Sequence, residues 1–258
     1  MPEFESSGAT VHYEIAGDGP PLLLIAGTAS DSASWGPLPP FLPGRRLIMP
    51  DNRGTGRTVC EGQFEIGDMV ADTVALLDHL GIAETDVVGH SLGGMIGLRL
   101  AARHPERVRR LVTLTSANVP GVKERALFRD MERHYFTMPP EDWFRLLFQW
   151  LFSAPFFADD ANIAAAAAAS AAYPYRQSPE NFARQVKAID RMAAEDLGRI
   201  ACPVLAVAGS LDLLMPPAAV IAGHQGVRNL TLATLPAAHS IHWEAPQAVA
   251  DAIIGFLD

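Results

Sequence analysis

A serine lies between two glycines in the pentapeptide GHSLG at residues 89–93, after an apolar run and before a helical pattern. On a sharp turn from strand to helix, Ser91 could act as a nucleophile, because glycine neighbours tolerate a strained backbone and leave the hydroxyl accessible. The following helix N-terminus would offer backbone N–H groups to an oxyanion. A serine in this position could also simply cap the helix. The interpretation therefore depends on a base and an acid elsewhere.

The base is predicted to be His239, one of eight histidines, in the segment LPAAHSIHWEAP between the last predicted strand and the last helix. Catalytic groups collect at the carboxyl ends of strands in open α/β sheets. His242 is the competitor and is interpreted as packing near this loop or starting the helix. Asp212, which follows the strand predicted at 202–210, would orient the imidazole, and a turn or capping role is compatible with that. The chain order Ser91, Asp212, His239 is the order expected for this architecture.

Two backbone N–H groups are predicted to donate to the oxyanion, from their positions relative to the nucleophile and to the apolar run LLLIAG. One is the backbone N–H of Leu92, the residue after the nucleophile, and the other is that of Thr28, in the loop after LLLIAG. The glycine-rich segment DNRGTGRT (51–58) is interpreted as a structural turn, since a phosphate loop would need the Walker or GxGxxG spacing.

The elements that must position these residues alternate between short apolar runs and amphipathic helical patterns. Continuous apolar strands separated by helices predict an α/β fold with a mostly parallel central sheet, helices on both faces and a helical cap inserted after the sixth strand. Residues 66–80 show helical periodicity, and Gly81 is predicted to end that helix. The predicted strands are 11–15, 21–27, 45–51, 86–90, 110–116, 202–210 and 229–235.

The strand–helix alternation stops between residues 119 and 195, where the pattern is helical and thirteen of the twenty aromatic residues are concentrated. We therefore expect residues 1–118 and 196–258 to form the core and 119–195 to form a helical cap, an insert rather than an independent domain. An aromatic-rich insert suggests an apolar lid, although most of these side chains could simply form the small core of the insert itself. The alanine tract within it favours a tightly packed helix.

Composition limits the possible partners. The 258 residues carry 20 Lys+Arg against 29 Asp+Glu, a net charge of -9, which disfavours nucleic acid or an anionic membrane. Apolar runs are too short to span a bilayer, and no secretory signal pattern begins the sequence, so a cytoplasmic location is expected. The two cysteines, Cys60 and Cys202, are expected to be inert thiols, and the oligomeric state is left open.

Several segments together resemble the α/β-hydrolase superfamily over essentially the whole chain: LLLIAG, DNRGTGRT at the position of a D-x-R-G-x-G-x-S element, GHSLGG, GSLD and AAHSIHWEAP. Two departures are Ala26-Gly27, where members commonly have His-Gly, and Thr58 in place of a serine. Ser91 argues against the dehalogenases and epoxide hydrolases of similar fold, which use aspartate as the nucleophile.

This resemblance implies a serine hydrolase that cleaves a small carboxylic ester or lactone through an acyl-enzyme, without a metal or organic cofactor. The substrate would be a largely apolar small molecule under the cap. An anionic substrate would need a cap arginine, for which Arg129, Arg133, Arg145 and Arg176 are available. The alternatives are a carbon–carbon bond hydrolase, a ligand-sensing receptor that retains the triad, and a cofactor-free lyase or oxygenase on the same fold.

Overall fold

The computed structural model describes residues 2–258, within which nine strands form one sheet in the order β1-β2-β4-β3-β6-β7-β8-β9, with β5 paired to β2. The strands from β3 onward pair in parallel, except for β5, whereas β1, β2 and β5 pair antiparallel. The strands are β1 (Glu3–Ser6), β2 (Ala9–Ala16), β3 (Pro21–Ile25), β4 (Arg46–Pro50), β5 (Val59–Cys60), β6 (Thr85–His90), β7 (Val108–Leu114), β8 (Val204–Gly209) and β9 (Leu230–Leu235). The predicted mostly parallel sheet is confirmed.

Helices cover both faces of this sheet because alternate strand residues point to opposite sides. One face carries Leu23, Ile25 and Val87 and packs against α1 and α2; the other carries Leu22 and Leu24 and packs against α9. The helices are α1 (Ile66–His79), α2 (Leu92–Arg103), α3 (Val122–Tyr135), α4 (Pro140–Leu151), α5 (Asp160–Ala172), α6 (Pro179–Arg191), α7 (Pro217–Gly223), α8 (Ile241–Glu244) and α9 (Pro246–Leu257). Gly81, at a φ of 66°, follows α1 as predicted.

Helices α3 to α6 lie in sequence between β7 and β8, and we call them the helical insert. Of the eight strands on the main path of the sheet, β7 is the sixth along the chain, so the insert follows the sixth strand as expected. The insert has its own apolar cluster, in which Trp143 and Phe182 are fully buried. Trp143 stacks on Tyr135 with ring centroids 3.9 Å apart. These aromatic side chains form the core of the insert itself.

Both cysteines, Cys60 and Cys202, are free thiols. No helix in residues 2–258 combines the length and apolar character needed to cross a membrane. Over the same residues, no group of three or more His, Cys, Asp or Glu side chains is arranged to hold a metal ion.

Candidate active site

Ser91 lies at the sharp turn between β6 and α2, in a backbone conformation that few non-glycine residues adopt, with φ 51° and ψ -116°. The flanking glycines are required by the tight packing of this turn. A Cβ atom on Gly89 would lie 2.5 Å from the backbone nitrogen of Gly94, and one on Gly93 would lie 2.5 Å from the carbonyl carbon of Ile25. The sequence GHSLG therefore folds as a strained strand-to-helix turn that presents the serine hydroxyl.

The structure brings Ser91, His239 and Asp212 together from three strand ends. His239 Nε2 lies 2.9 Å from Ser91 Oγ, and His239 Nδ1 lies 2.8 Å from Asp212 Oδ2. All three residues are buried, with exposed fractions of 7%, 2% and 3% for Ser91, His239 and Asp212. Because Nδ1–H donates to the carboxylate, Nε2 is left as the acceptor for the serine hydroxyl proton. This tautomer is the one that a general base requires.

The second oxygen of Asp212 is also satisfied. Asp212 Oδ1 accepts hydrogen bonds from the backbone N–H groups of Leu214 and Met215, each at 2.8 Å. Asp212 therefore contacts the imidazole with one oxygen and stabilises the turn with the other, so the predicted turn role and the contact with His239 occur together. These bonds fix the carboxylate and leave one oxygen for the imidazole.

Two further histidines surround His239 and are uncharged. His90 Nε2 donates to the carbonyl of His239 at 2.9 Å, and the rings of His90 and His242 lie edge to face. Burial lowers the pKa of His242 to about 3 and holds that of His90 well below its usual range, where the nearby His242 and His239 add to the effect. His90 thus supports the loop that carries His239. His242 packs against Trp35 rather than joining the hydrogen-bonded chain.

Residues 26–31, which we call the oxyanion loop, pack directly against the serine turn. A Cβ atom on Gly27 would lie 2.9 Å from His90 Nδ1 and 3.3 Å from Ser91 Cβ, so a glycine is needed for this approach. Thr28 and Leu92 line a common cavity with Ser91 and His239. Within residues 2–258 neither the Thr28 nor the Leu92 backbone N–H donates a hydrogen bond. Both N–H groups therefore belong to residues that line the cavity of the serine, and neither is engaged elsewhere in the described residues.

The segment DNRGTGRT is a structural turn whose side chains hold this loop. Asp51 accepts hydrogen bonds from the backbone N–H groups of Ser32 and Arg57, each at 2.8 Å. Asn52 Nδ2 donates to the carbonyl of Ala26 at 3.0 Å. The glycine-rich turn therefore stabilises the oxyanion loop from the side of the sheet.

A cavity of about 750 Å³ opens from Ser91 and His239 toward the helical insert. Its wall is largely aromatic and aliphatic, with several polar side chains that include Glu244, and its volume suits a small-molecule ligand. The aromatic part of the lining consists of Phe128, Phe144, Phe148, Phe152, Phe156, Phe182 and Trp243. Several aromatic residues of the insert therefore line the cavity that contains Ser91, and two of them, Phe128 and Phe182, also belong to the core of the insert.

The insert arginines available for an anionic ligand are mostly engaged elsewhere. Arg129 pairs with Asp190, and Arg133 pairs with Asp130, all partly or fully exposed to solvent. Arg176 lines a neighbouring cavity of about 310 Å³ and donates to Tyr135 Oη at 2.8 Å. None of these three lines the large cavity that contains Ser91.

Sequence reasoning missed two contacts from the helical insert to the oxyanion loop. Gln185 Oε1 accepts a hydrogen bond from the Ala29 N–H at 3.0 Å, and Tyr173 Oη donates to Asp31 Oδ2 at 2.9 Å. Each contact joins residues more than 140 positions apart. The only sequence signal was a polar residue on the apolar face of α6, which does not reveal a partner.

Comparison with known proteins agrees with this architecture. The model of the alpha/beta hydrolase fold family matches residues 20–246. A protein of Azorhizobium caulinodans named as a carbamate hydrolase, RutD, is 30% identical over 262 residues, covering 99% of this chain and 98% of its own. The pyrrolizixenacetamide deacetylase of Xenorhabdus hominickii is 30% identical over 257 residues, covering 96% of this chain and 94% of its own.

Among solved structures, the enol-lactonase of Burkholderia xenovorans LB400 superposes with a TM-score of 0.89 at 24% identity, covering 99% of each chain. Its fold is the fold seen in this chain. Because the family model spans most of the sequence and full-length relatives reach 30% identity, the chain belongs to the α/β-hydrolase fold family and is a hydrolase of that fold.

Proposed function

We propose that this protein is a serine hydrolase that cleaves a small carboxylic ester or lactone, with Ser91 as nucleophile, His239 as base and Asp212 as the orienting acid. The observation that carries the proposal is the hydrogen-bonded chain from Asp212 through His239 to Ser91, with the hydroxyl at the mouth of a large apolar cavity.

In the proposed reaction, His239 Nε2 takes the proton of Ser91 Oγ while that oxygen attacks the substrate carbonyl. The N–H groups of Leu92 and Thr28 stabilise the charge that develops on the carbonyl oxygen. His239 then gives the proton to the departing alkoxide, which leaves an acyl group on Ser91. A water molecule, activated by the same imidazole, releases the acid and restores the serine.

The cavity supports a substrate with a sizeable apolar part. Its volume of about 750 Å³ and its aromatic lining would bury such a group, while Ser91, His239 and several other polar side chains, among them Glu244, complete the wall. We infer that anionic groups are not bound in this cavity, because no arginine or lysine lines it. The substrate is thus proposed to be a largely apolar small molecule under the insert, which acts as a cap.

Carbamate cleavage is the second candidate, because a relative that matches along nearly its whole length is named for it. The proposed residues would serve that reaction equally, since a carbamate carbonyl also passes through a tetrahedral oxyanion. The two candidates differ in the acyl group and not in the machinery. A panel of substrates that share one leaving group separates them.

The test is steady-state hydrolysis of 4-nitrophenyl esters and carbamates, followed by lactones and β-diketones, with wild type and Ser91→Ala. We expect many turnovers on esters or lactones and a loss of at least about a thousandfold in kcat for Ser91→Ala. Preference for carbamates would favour the second candidate, and preference for β-diketones would favour a carbon–carbon hydrolase. Ligand binding with less than one turnover per molecule would instead support a receptor.

A further inference from the structure

The oxyanion loop is held from two opposite sides by side-chain amides. From the sheet side, Asn52 Nδ2 donates to the carbonyl of Ala26 at 3.0 Å. From the helical insert, Gln185 Oε1 accepts from the N–H of Ala29 at 3.0 Å. Thr28, the proposed oxyanion donor, lies between these two anchored residues.

The anchoring by Gln185 acts on a strained backbone. Ala29 has a φ of 57°, in the left-handed region that costs a non-glycine residue roughly 1–2 kcal/mol. Without an external bond, the peptide between Thr28 and Ala29 would be expected to relax toward an ordinary conformation. The two peptides share the Cα atom of Thr28, so a change in the φ of Thr28 that accompanies this relaxation would turn the preceding peptide, whose N–H is the proposed donor. Oxyanion stabilisation depends on donors that are already in place before the charge develops.

Gln185 is fully buried, whereas Ala29 is only partly buried and lines two cavities. An apolar side chain at position 185 would remove the acceptor that fixes the direction of the Ala29 N–H, because water in a cavity can satisfy this group without holding it in one orientation. Because Gln185 belongs to α6, the insert itself supplies one of the two amide hydrogen bonds to the backbone of the loop. Formation of the oxyanion site and docking of the insert are therefore linked through Gln185, in addition to the contact of Tyr173 with the Asp31 side chain.

We propose that Gln185 is a positioning residue for the reaction: it holds the Thr28–Ala29 peptide from the helical insert, so that the Thr28 N–H points at the oxyanion. This inference rests on the proposed function, since it requires an oxyanion beside Ser91. It assigns to the insert a part in transition-state stabilisation in addition to its part in lining the cavity.

A matched control comes from a second buried glutamine of the same region. Gln177 Nε2 donates to the carbonyl of Gly54 at 3.0 Å, which also joins the insert to the sheet side. Its partner lies outside the oxyanion loop, and its contact with Gln185 Oε1, at 3.5 Å, is long. A residue that only docks the insert should therefore resemble Gln177 in its effect on catalysis.

The test compares two variants, Gln185→Met and Gln177→Met, in two measurements. The first is the steady-state hydrolysis of a 4-nitrophenyl ester. The second is the affinity for a trifluoromethyl ketone, which forms a tetrahedral adduct with an active serine. For Gln185→Met we expect kcat to fall about tenfold to a hundredfold, somewhat less than the loss of a whole donor, with KM within about threefold of wild type. Affinity for the ketone should fall in parallel. Gln177→Met should change kcat and ketone affinity by less than about threefold.

Two further variants test the same proposal if Gln185→Met folds poorly. Gln185→Asn, whose amide is one methylene too short to reach the Ala29 N–H, should show the same selective loss of kcat. Gln185→Glu should retain kcat within about threefold at pH 6, because burial raises the pKa of a carboxyl group and keeps an uncharged acceptor in place.

Equal losses in the Gln185 and Gln177 variants, or an unchanged kcat and ketone affinity in Gln185→Met and Gln185→Asn, would overturn the inference. Failure of the proposed function looks different. In that case Ser91→Ala would retain turnover, whatever the glutamine variants do.

Discussion

Replacing Gly93 by alanine is expected to lower kcat/KM about a hundredfold, because the new methyl group has no space in the serine turn. Its Cβ would lie 2.5 Å from the carbonyl carbon of Ile25 and 2.8 Å from the carbonyl oxygen of Ala26. Both are backbone atoms at the end of β3, so neither can rotate away. The first turn of α2 would have to move by about 1 Å, and a misplacement of that size costs about a hundredfold in rate.

The assay is hydrolysis of a 4-nitrophenyl ester, with thermal unfolding measured in parallel. Overpacking at Gly93 should also cost about 1–3 kcal/mol of the free energy of unfolding. The control is Gly97→Ala in the same helix, where the added methyl meets the ends of two side chains rather than backbone: Leu111 Cδ1 at 2.8 Å and Val87 Cγ1 at 3.7 Å. We expect that variant to stay within about threefold of wild-type activity. A Gly93→Ala enzyme with near wild-type kcat/KM would refute this account of the turn.

Three other substitutions test the surroundings of the site. Asp72→Asn should lower the free energy of unfolding, measured in urea, by about 3–5 kcal/mol, because it leaves Arg53 buried without its counter-charge. Asp78→Asn is the control in the same helix: this carboxylate is exposed and pairs with Arg107, so its loss should cost under about 1 kcal/mol. His242→Gln should reduce the fall in the free energy of unfolding as the pH is lowered. In wild type the unfolded chain binds a proton at this histidine below pH 6.5, whereas the folded chain, with a pKa of about 3, does not. Wild type should therefore lose about 2 kcal/mol by pH 5 that the variant keeps, measured by urea titration at each pH. Ala166→Trp, which narrows the large cavity, should lower kcat/KM for naphthyl esters at least about tenfold and leave acetate esters nearly unchanged in a matched kinetic series.

The sequence predicted the parts of this molecule that depend on local pattern. Ser91, Asp212 and His239 each follow an apolar run, and parallel strands place all such ends at one edge, so the meeting of the three residues follows from the fold class. The seven strands predicted from apolar runs are present for the same reason, whereas the short strands β1 and β5 were not predicted. The glycine-rich turn at 51–58 was also interpreted correctly as structural.

The contacts that shape the oxyanion loop could not be predicted in the same way. Gln185 lies in α6 and Tyr173 directly follows α5, and the position of these helices over the sheet is set by tertiary packing. The partners of both side chains are distant in the chain. Likewise, the sequence could not distinguish the aromatic residues that face the cavity from Trp143, which is buried in the insert. Helical periodicity gives the apolar side of a helix, but the neighbour that covers it depends on how the helices dock. For this reason the substrate is far less predictable than the reaction.

The most direct test of the central claim is to trap the intermediate. Wild-type protein would be mixed with excess 4-nitrophenyl ester, quenched in acid within milliseconds and examined by intact mass and peptide mapping, with Ser91→Ala in parallel. We predict a burst of up to one equivalent of nitrophenol and an acyl adduct on the peptide that contains Ser91, absent from the variant. Multiple turnovers without an adduct, or an adduct on a different residue, would contradict the assignment of Ser91 as the nucleophile.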